Sequence, residues 1–163
     1  MRNEIRGNEI AMIFQNPTNS LNPSYQVGEQ IAEVAREIRD VPKKQARELA
    51  IELMNDVGIP EAEERYENYP YEFSGGMKQR VLIAKSLACQ PDLLIADEPT
   101  TALDKTTEAQ LLDLIDEMRE EYGLSVLIIT HDLRVISRLC DRVVVMYAGQ
   151  TVEVGSTREV ITN

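Results

Sequence analysis

The sequence predicts an α/β fold, a mostly parallel sheet covered by helices on both faces, with an all-helical insert. Three observations carry this. Aliphatic runs of strand length stand at 93–96, 126–129 and 143–146, with helical patterns between them. Strands that alternate with helices and are apolar on both faces belong to buried parallel sheets. Residues 25 to about 70 repeat apolar side chains at helical spacing and contain no strand-like run. At 163 residues, 43% hydrophobic and 28% charged, the chain has the size and composition of one globular domain.

Taken in order, Ile10, Ala11, Met12, Ile13 and Phe14 form an apolar run ending at Gln15, which reads as a buried strand. Pro17, Asn19, Ser20, Asn22 and Pro23 make 16–24 a loop. Val27, Ile31, Val34 and Ile38 mark one helix, and Ala46, Leu49, Ala50, Leu53, Met54 and Val57 a second. Gly58 suits the left-handed residue that ends it. After Ser74-Gly75-Gly76 a helix places Met77, Val81, Ala84 and Ala88 on one face. Beyond the strand at 93–96, Leu111, Leu114, Ile115 and Met118 mark a helix. A short one runs through Leu133, Ile136 and Cys140. Residues 143–147, the Ala148-Gly149 turn and 151–154 read as a hairpin. Ser156 and Glu159 have capping-box spacing for a last helix, which stops at Asn163. There is no internal repeat and no low-complexity tract.

Composition excludes several functions. With 28 acidic against 17 basic side chains and a net charge of −11, the chain lacks the clustered cations that hold nucleic-acid phosphates, so no nucleic-acid partner is expected. No apolar stretch approaches the ~20 residues of a membrane-spanning helix. The opening Met1-Arg2-Asn3-Glu4-Ile5-Arg6 does not lead into a signal region, which points to the cytoplasm. Cys89 and Cys140 stand apart without metal-ligand spacing and read as small buried hydrophobes.

Four places carry candidate chemistry. Ser74-Gly75-Gly76 opens a helix whose first N–H groups and positive dipole end suit a phosphate; a plain Gly-Gly turn with a serine N-cap accounts for the same residues. Asp97 and Glu98 end the strand at 93–96, where α/β sheets bind ligands. As successive strand residues they point to opposite sides, so one can serve a Mg²⁺ ion and the other a water; a solvated acidic strand end is the alternative. His131 follows the strand at 126–129, and Gln15 follows the first strand. Alone, each is compatible with a structural histidine and a loop glutamine.

Their order is more specific. Gln15, a helical insert, Phe73-Ser74-Gly75-Gly76-Met77, Asp97-Glu98, Ala102-Leu103-Asp104 and then His131 resembles the nucleotide-binding domain of ATP-binding-cassette (ABC) proteins, over essentially the whole chain. Tyr69-Pro70-Tyr71-Glu72-Phe73, Met146-Tyr147-Ala148-Gly149-Gln150 and Phe14-Gln15-Asn16-Pro17 look most like the ATPases of oligopeptide, dipeptide and nickel importers. Tyr71, Lys85 and Lys105 depart from that branch at no catalytic position. The resemblance implies a partial P-loop NTPase core in three parts: a core strand and Q-loop (1–24), a helical subdomain (25–72), and the signature, Walker B, D-loop and switch-histidine portion (73–163).

The resemblance also implies roles. Gln15 would contact Mg²⁺ and the attacking water, and Asp97 would hold Mg²⁺. Glu98 would position that water and His131 would bond the γ-phosphate. Ser74, Gly75 and Gly76 would bind the γ-phosphate of ATP held by a second nucleotide-binding subunit, in a homo- or heterodimer, with Asp104 at the interface. Permease (transmembrane) subunits would be the other partners, placing the chain on the cytoplasmic, inner face of the cell membrane.

One family element is missing. Of Lys43, Lys44, Lys78, Lys85 and Lys105, none sits between a glycine and a Ser or Thr, so there is no Walker A loop. Truncation at both ends is expected, with negligible ATP hydrolysis by the chain alone. The leading expectation is a fragment of the ATP-hydrolysing subunit of a peptide importer. The alternative is a non-catalytic module that docks on a permease or completes a partner's ATP site in trans. A soluble ABC ATPase of DNA repair or translation is weaker, given the acidic balance and importer-like stretches.

Overall fold

The computed structural model describes residues 9–15, 20–101 and 103–162. The opening residues, positions 16–19 of the predicted loop, Ala102 and Asn163 lie outside them. Three strands, β1 (Ile10–Ile13), β2 (Leu93–Asp97) and β3 (Ser125–Ile129), form a parallel sheet in that order. Ile10 pairs with Leu93, and Asp97 pairs with Ile129. The chain between β1 and β2 is helical, as the period of its apolar residues predicts: α1 (Val27–Arg39), α2 (Lys43–Asp56), the short α3 (Ala62–Arg65), a 3-10 turn (Pro70–Glu72) and α4 (Gly75–Leu87). Then come α5 (Lys105–Tyr122) and α6 (Leu133–Leu139) on either side of β3, the antiparallel hairpin β4 (Arg142–Tyr147) and β5 (Gln150–Ser156), and α7 (Thr157–Thr162).

One contiguous buried cluster joins Val27, Ile31, Leu53 and Met54 in the helical block to Ala11, Ile13 and Leu94 in the sheet and Leu111 and Ile115 in α5. The sheet differs from expectation here. Because α4 and α5 share that cluster with the same face of the strands, the other face stays open among the described residues. Met12, Phe14, Leu127 and Ile129 are 39%, 54%, 50% and 48% exposed. The aliphatic runs therefore alternate in burial instead of being covered on both sides. In α6 it is Val135 that is buried, while Leu133 faces outward. Cys89 is buried as predicted, but Cys140, at the end of that short helix, is only half-buried.

Local sequence sets the ends of these elements. Gly58, at φ 73°, follows α2 in the left-handed conformation, and the Ile59 N–H donates back to Met54 O at 2.9 Å. Arg80 of α4 adds a bond from Nη1 to Val57 O at 2.5 Å, capping α2 from a neighbouring helix. Ala148 and Gly149 both have positive φ, the requirement of a tight two-residue hairpin turn. Ser156 and Glu159 make the reciprocal bonds of a capping box at the start of α7.

The start of α1 is capped by backbone. Gln26 makes no side-chain cap, and the N–H groups of Val27 and Gly28 donate instead to Asn68 O (2.8 Å) and Tyr66 O (2.9 Å). That close approach requires glycine. A Cβ on Gly28 would lie 2.1 Å from Cδ2 of Tyr66, whose ring is buried. Burial and the bond to Glu29 push the Tyr66 phenol up to about 12, so it remains a donor to the Glu29 carboxylate at 2.9 Å. Gly28→Ala is expected to cost about 3 kcal/mol by overpacking, a drop in Tm of roughly 6–12 °C for a chain of this length, read in a circular dichroism melt; an unchanged Tm would contradict this packing.

Candidate functional site

The candidate residues gather at the carboxyl ends of the three parallel strands and at the amino end of α4. Asp97 is the last residue of β2 and pairs with Ile129. Its side chain lines an open cavity of about 740 Å³ with Phe14, Gln15, Ser20 and Lys85. The next residue leaves the strand in the other direction. Glu98 has φ 48°, a left-handed conformation unusual for a side chain with a Cβ. Its N–H still donates to Ile129 O at 2.9 Å, so the β2–β3 ladder continues one residue into the kink.

That continuation brings Glu98 to His131, two residues beyond the end of β3. Glu98 Oε1 lies 2.7 Å from His131 Nδ1. Glu98 Oε2 accepts a bond from Thr101 Oγ1 at 3.0 Å. The histidine side chain is 86% exposed, leaving its Nε2 edge at the surface. The pair shifts both groups: the bond from His131, helped by Thr101, holds the Glu98 carboxyl below its ordinary value, and the bond to Glu98 raises His131. Asp132 is engaged elsewhere, capping α6 through Arg134 N at 2.9 Å and pairing with the Arg134 guanidinium, which keeps its carboxyl well below the usual range.

At the amino end of α4, Ser74 is the N-cap, its Oγ accepting from Met77 N at 3.3 Å. The two glycines differ. A Cβ on Gly76 would meet the Thr107 methyl at 2.6 Å, whereas nothing lies within 4 Å of a Cβ on Gly75. Thr107 belongs to α5, which is capped by Asp104: that carboxylate accepts from Thr106 N and Thr107 N, both at 3.0 Å, and from Thr107 Oγ1 at 2.6 Å. These bonds lower the Asp104 carboxyl, the Thr107 hydroxyl contributing most. Gly76, Thr107 and Asp104 thus form one packed junction.

The structure therefore brings the predicted residues together in three groups: Gln15 with Asp97, Glu98 with His131, and Ser74, Gly75 and Gly76 beside Asp104. Asp97 and Glu98 have different neighbours, but strand alternation does not set the direction of Glu98, because β2 ends at Asp97 and Glu98 is left-handed at φ 48°. Sequence reasoning missed Thr101, Thr107 and Gln30. Pro99, in the second position of a four-residue turn starting at Glu98, could have flagged Thr101. Buried Gln30 carried no signal; its Nε2 donates to the carbonyls of Asn22 and Tyr25, each at 3.0 Å, holding the residues just before α1. Among the described residues no three His, Cys, Asp or Glu side chains are grouped to hold a metal, and no helix is long and apolar enough to cross a membrane.

Two outcomes follow. The depressed Glu98 contributes stability above its ordinary value of 4.5 and loses it as pH falls; the raised His131 contributes below its ordinary 6.5 and loses it as pH rises. The ion pair is thus fully stabilising between 4.5 and 6.5. His131 is the chain's only histidine, so proton NMR should show a single imidazole titrating above 6.5 and returning toward that value in Glu98→Gln. Gly76→Ala should lower stability by about 1–3 kcal/mol through its clash with Thr107. Gly75→Ala, which meets nothing, should leave the melt within about 0.5 kcal/mol of the parent.

Comparison with known proteins agrees with this fold. A family model described as ABC transporter matches residues 1–101. The oligopeptide transport ATP-binding protein AmiE of Streptococcus pneumoniae is 52% identical over 157 residues, covering 96% of this chain and 44% of AmiE. The chain spans about half the length of the curated relatives it matches. Among solved structures, cbiO1 from Clostridium perfringens, part of the ABC transporter complex cbiONQ, superposes with a TM-score of 0.83 at 31% identity, covering 96% of this chain and 60% of that one. The ATP-binding cassette MJ0796, dimeric and bound to ADP and Pi in a post-hydrolysis state, gives 0.80 at 28% identity, with 96% and 66% covered. On this family match, and with relatives half identical over nearly its whole length, this chain belongs to the ABC transporter family.

Proposed function

We propose that this chain is part of an ATP-binding and ATP-hydrolysing subunit that energises ABC-type import of oligopeptides or dipeptides. The observation that carries it is the Glu98–His131 pair at the ends of adjacent parallel strands, with Asp97 lining the same cavity as Gln15, in a chain half identical to an oligopeptide transport ATP-binding protein.

In this reading the chain divides its tasks by direction. Glu98, kept ionised by His131, presents a carboxylate that accepts a proton from, or orients, a water beside the terminal phosphate. Protonated, as the bond to Glu98 favours, His131 donates Nδ1–H to Glu98 and offers its Nε2–H to the phosphate oxygens. Asp97 and Gln15 are oxygen donors lining one cavity, which suits Mg²⁺: that ion is held through one or two carboxylates and the phosphates of its substrate, with no protein cage. When bound, it neutralises charge on those phosphates.

Ser74, Gly75 and Gly76 bind the phosphate of ATP carried by a second nucleotide-binding subunit. Gly75 supports this, since nothing among the described residues lies within 4 Å of the place a side chain would take there. Asp104 lies beside that contact, and the helical part, 25–72, meets the permease subunits at the inner face of the membrane. A second reading, a non-catalytic module completing a partner's site in trans, is favoured by one observation, the absence of a Gly-Lys-Ser/Thr sequence.

The test is a chimaera in which this chain replaces the matching segment of AmiE. Oligopeptide uptake and ATPase activity are expected in a strain lacking AmiE, and Glu98→Gln should reduce hydrolysis at least ~100-fold. Hydrolysis without uptake would remove the peptide assignment, and no hydrolysis would favour the non-catalytic module. The 163-residue chain alone is expected to melt cooperatively but to show no saturable Mg·ATP binding and no turnover. Turnover by the chain alone, lost in Glu98→Gln, would overturn that expectation.

A further inference from the structure

We infer that Thr101 is a positioning residue for Glu98, the second of two clamps that fix the plane of its carboxylate. The inference rests on the reading of Glu98 as the group that addresses the water. A carboxylate used this way must present one oxygen lone pair in a fixed direction, and a glutamate side chain has freely turning bonds that do not provide this. The His131 Nδ1 bond at 2.7 Å fixes Oε1 alone. The carboxylate can still rotate about that contact until Oε2 is held as well, and Thr101 Oγ1 holds it at 3.0 Å.

The hydroxyl is delivered by the same turn that strains Glu98. Thr101 N–H donates to Glu98 O at 3.1 Å, closing a four-residue turn with buried Pro99 in its second position. Proline presets φ for that position. The left-handed Glu98, at φ 48°, is the first residue of this turn. Main-chain and side-chain bonds from one threonine therefore return to both ends of the same glutamate. Thr100, one residue earlier, makes no such bond, so the position of the hydroxyl in the turn, and not the Thr-Thr pair as such, is what counts.

His131, the only histidine, gives a direct readout that needs neither nucleotide nor turnover. In the 15N spectrum of the 163-residue chain, recorded at a pH above the end of the observed His131 titration so that the imidazole is neutral, the bond to Glu98 should hold His131 as the Nδ1–H tautomer. Glu98→Ala sets the unpaired reference. Thr101→Val, which keeps shape and loses the hydroxyl, should move the signal at least halfway to that reference, and Thr101→Ser should overlay the parent. A Thr101→Val spectrum identical to the parent, with Glu98→Ala shifted, would overturn the clamp while leaving the Glu98–His131 pair intact. An unshifted Glu98→Ala would overturn both. If Thr101→Val fails to melt cooperatively, Thr101→Ala is read by the same criteria. Failure of the ATPase reading would appear in the chimaera, which this spectrum does not involve.

Discussion

The site depends on one backbone constraint: β2 is paired on both edges, and its ladder with β3 runs one residue past the strand. Asp97 opposite Ile129, followed by the Glu98 N–H to Ile129 O bond, fixes the height at which the acidic pair emerges relative to the end of β3. His131 stands only two residues beyond that partner, so its side chain meets Glu98 without any long loop to order. A one-residue slip would put the wrong carboxylate on each face, because side chains alternate along a strand. Register, the kink at Glu98 and the choice of histidine partner are therefore one decision.

The helical block is bound to this sheet by bonds that are individually small and placed at junctions. Gln30 ties α1 to the residues just before it, and Arg80 ties α4 to the end of α2. The Tyr122 hydroxyl at the end of α5 donates to Asp56 Oδ2 at 2.6 Å, with burial and that carboxylate both raising its pKa. Helix α4 lies between the two regions, packing on β1 on one side and on α1 and α2 on the other. The amino end of α4 is Ser74-Gly75-Gly76, so the turn proposed to bind phosphate and the helix that joins both regions are one element.

Much of this was legible in the sequence, for identifiable reasons. Helices α1, α2 and α5 follow from unbroken 3.6-residue periodicity, and the hairpin and the α7 cap from residue types that only a few turns accept. That the acidic pair ends a strand was legible, but the left-handed kink at Glu98, which alternation does not predict, was not. What was not legible depends on contacts far apart in the chain. Aliphatic runs give no indication of which face a neighbour covers, so the open face bearing Met12, Phe14, Leu127 and Ile129 was read as buried. The burial of Val135 over Leu133 depends on how one short helix is rotated against its neighbours. Gln30 and Thr107 are ordinary residues until their partners, 8 and 31 positions away, are brought beside them.

The two glycines show where a structural and a functional explanation of one motif part company. A Gly-Gly turn after an N-capping serine accounts for Ser74 fully, since its Oγ meets Met77 N. It also accounts for Gly76, because the Thr107 methyl occupies the place of the missing Cβ and Thr107 is itself held by Asp104. It does not account for Gly75, which sits at the first helical position with open space around it and an ordinary negative φ. A residue with a side chain would fit there and would lower the entropy lost on folding. The proposed approach of a second subunit's nucleotide to this backbone would account for a glycine there, and the helix amino terminus has no acidic residue in its first turn to oppose an anion.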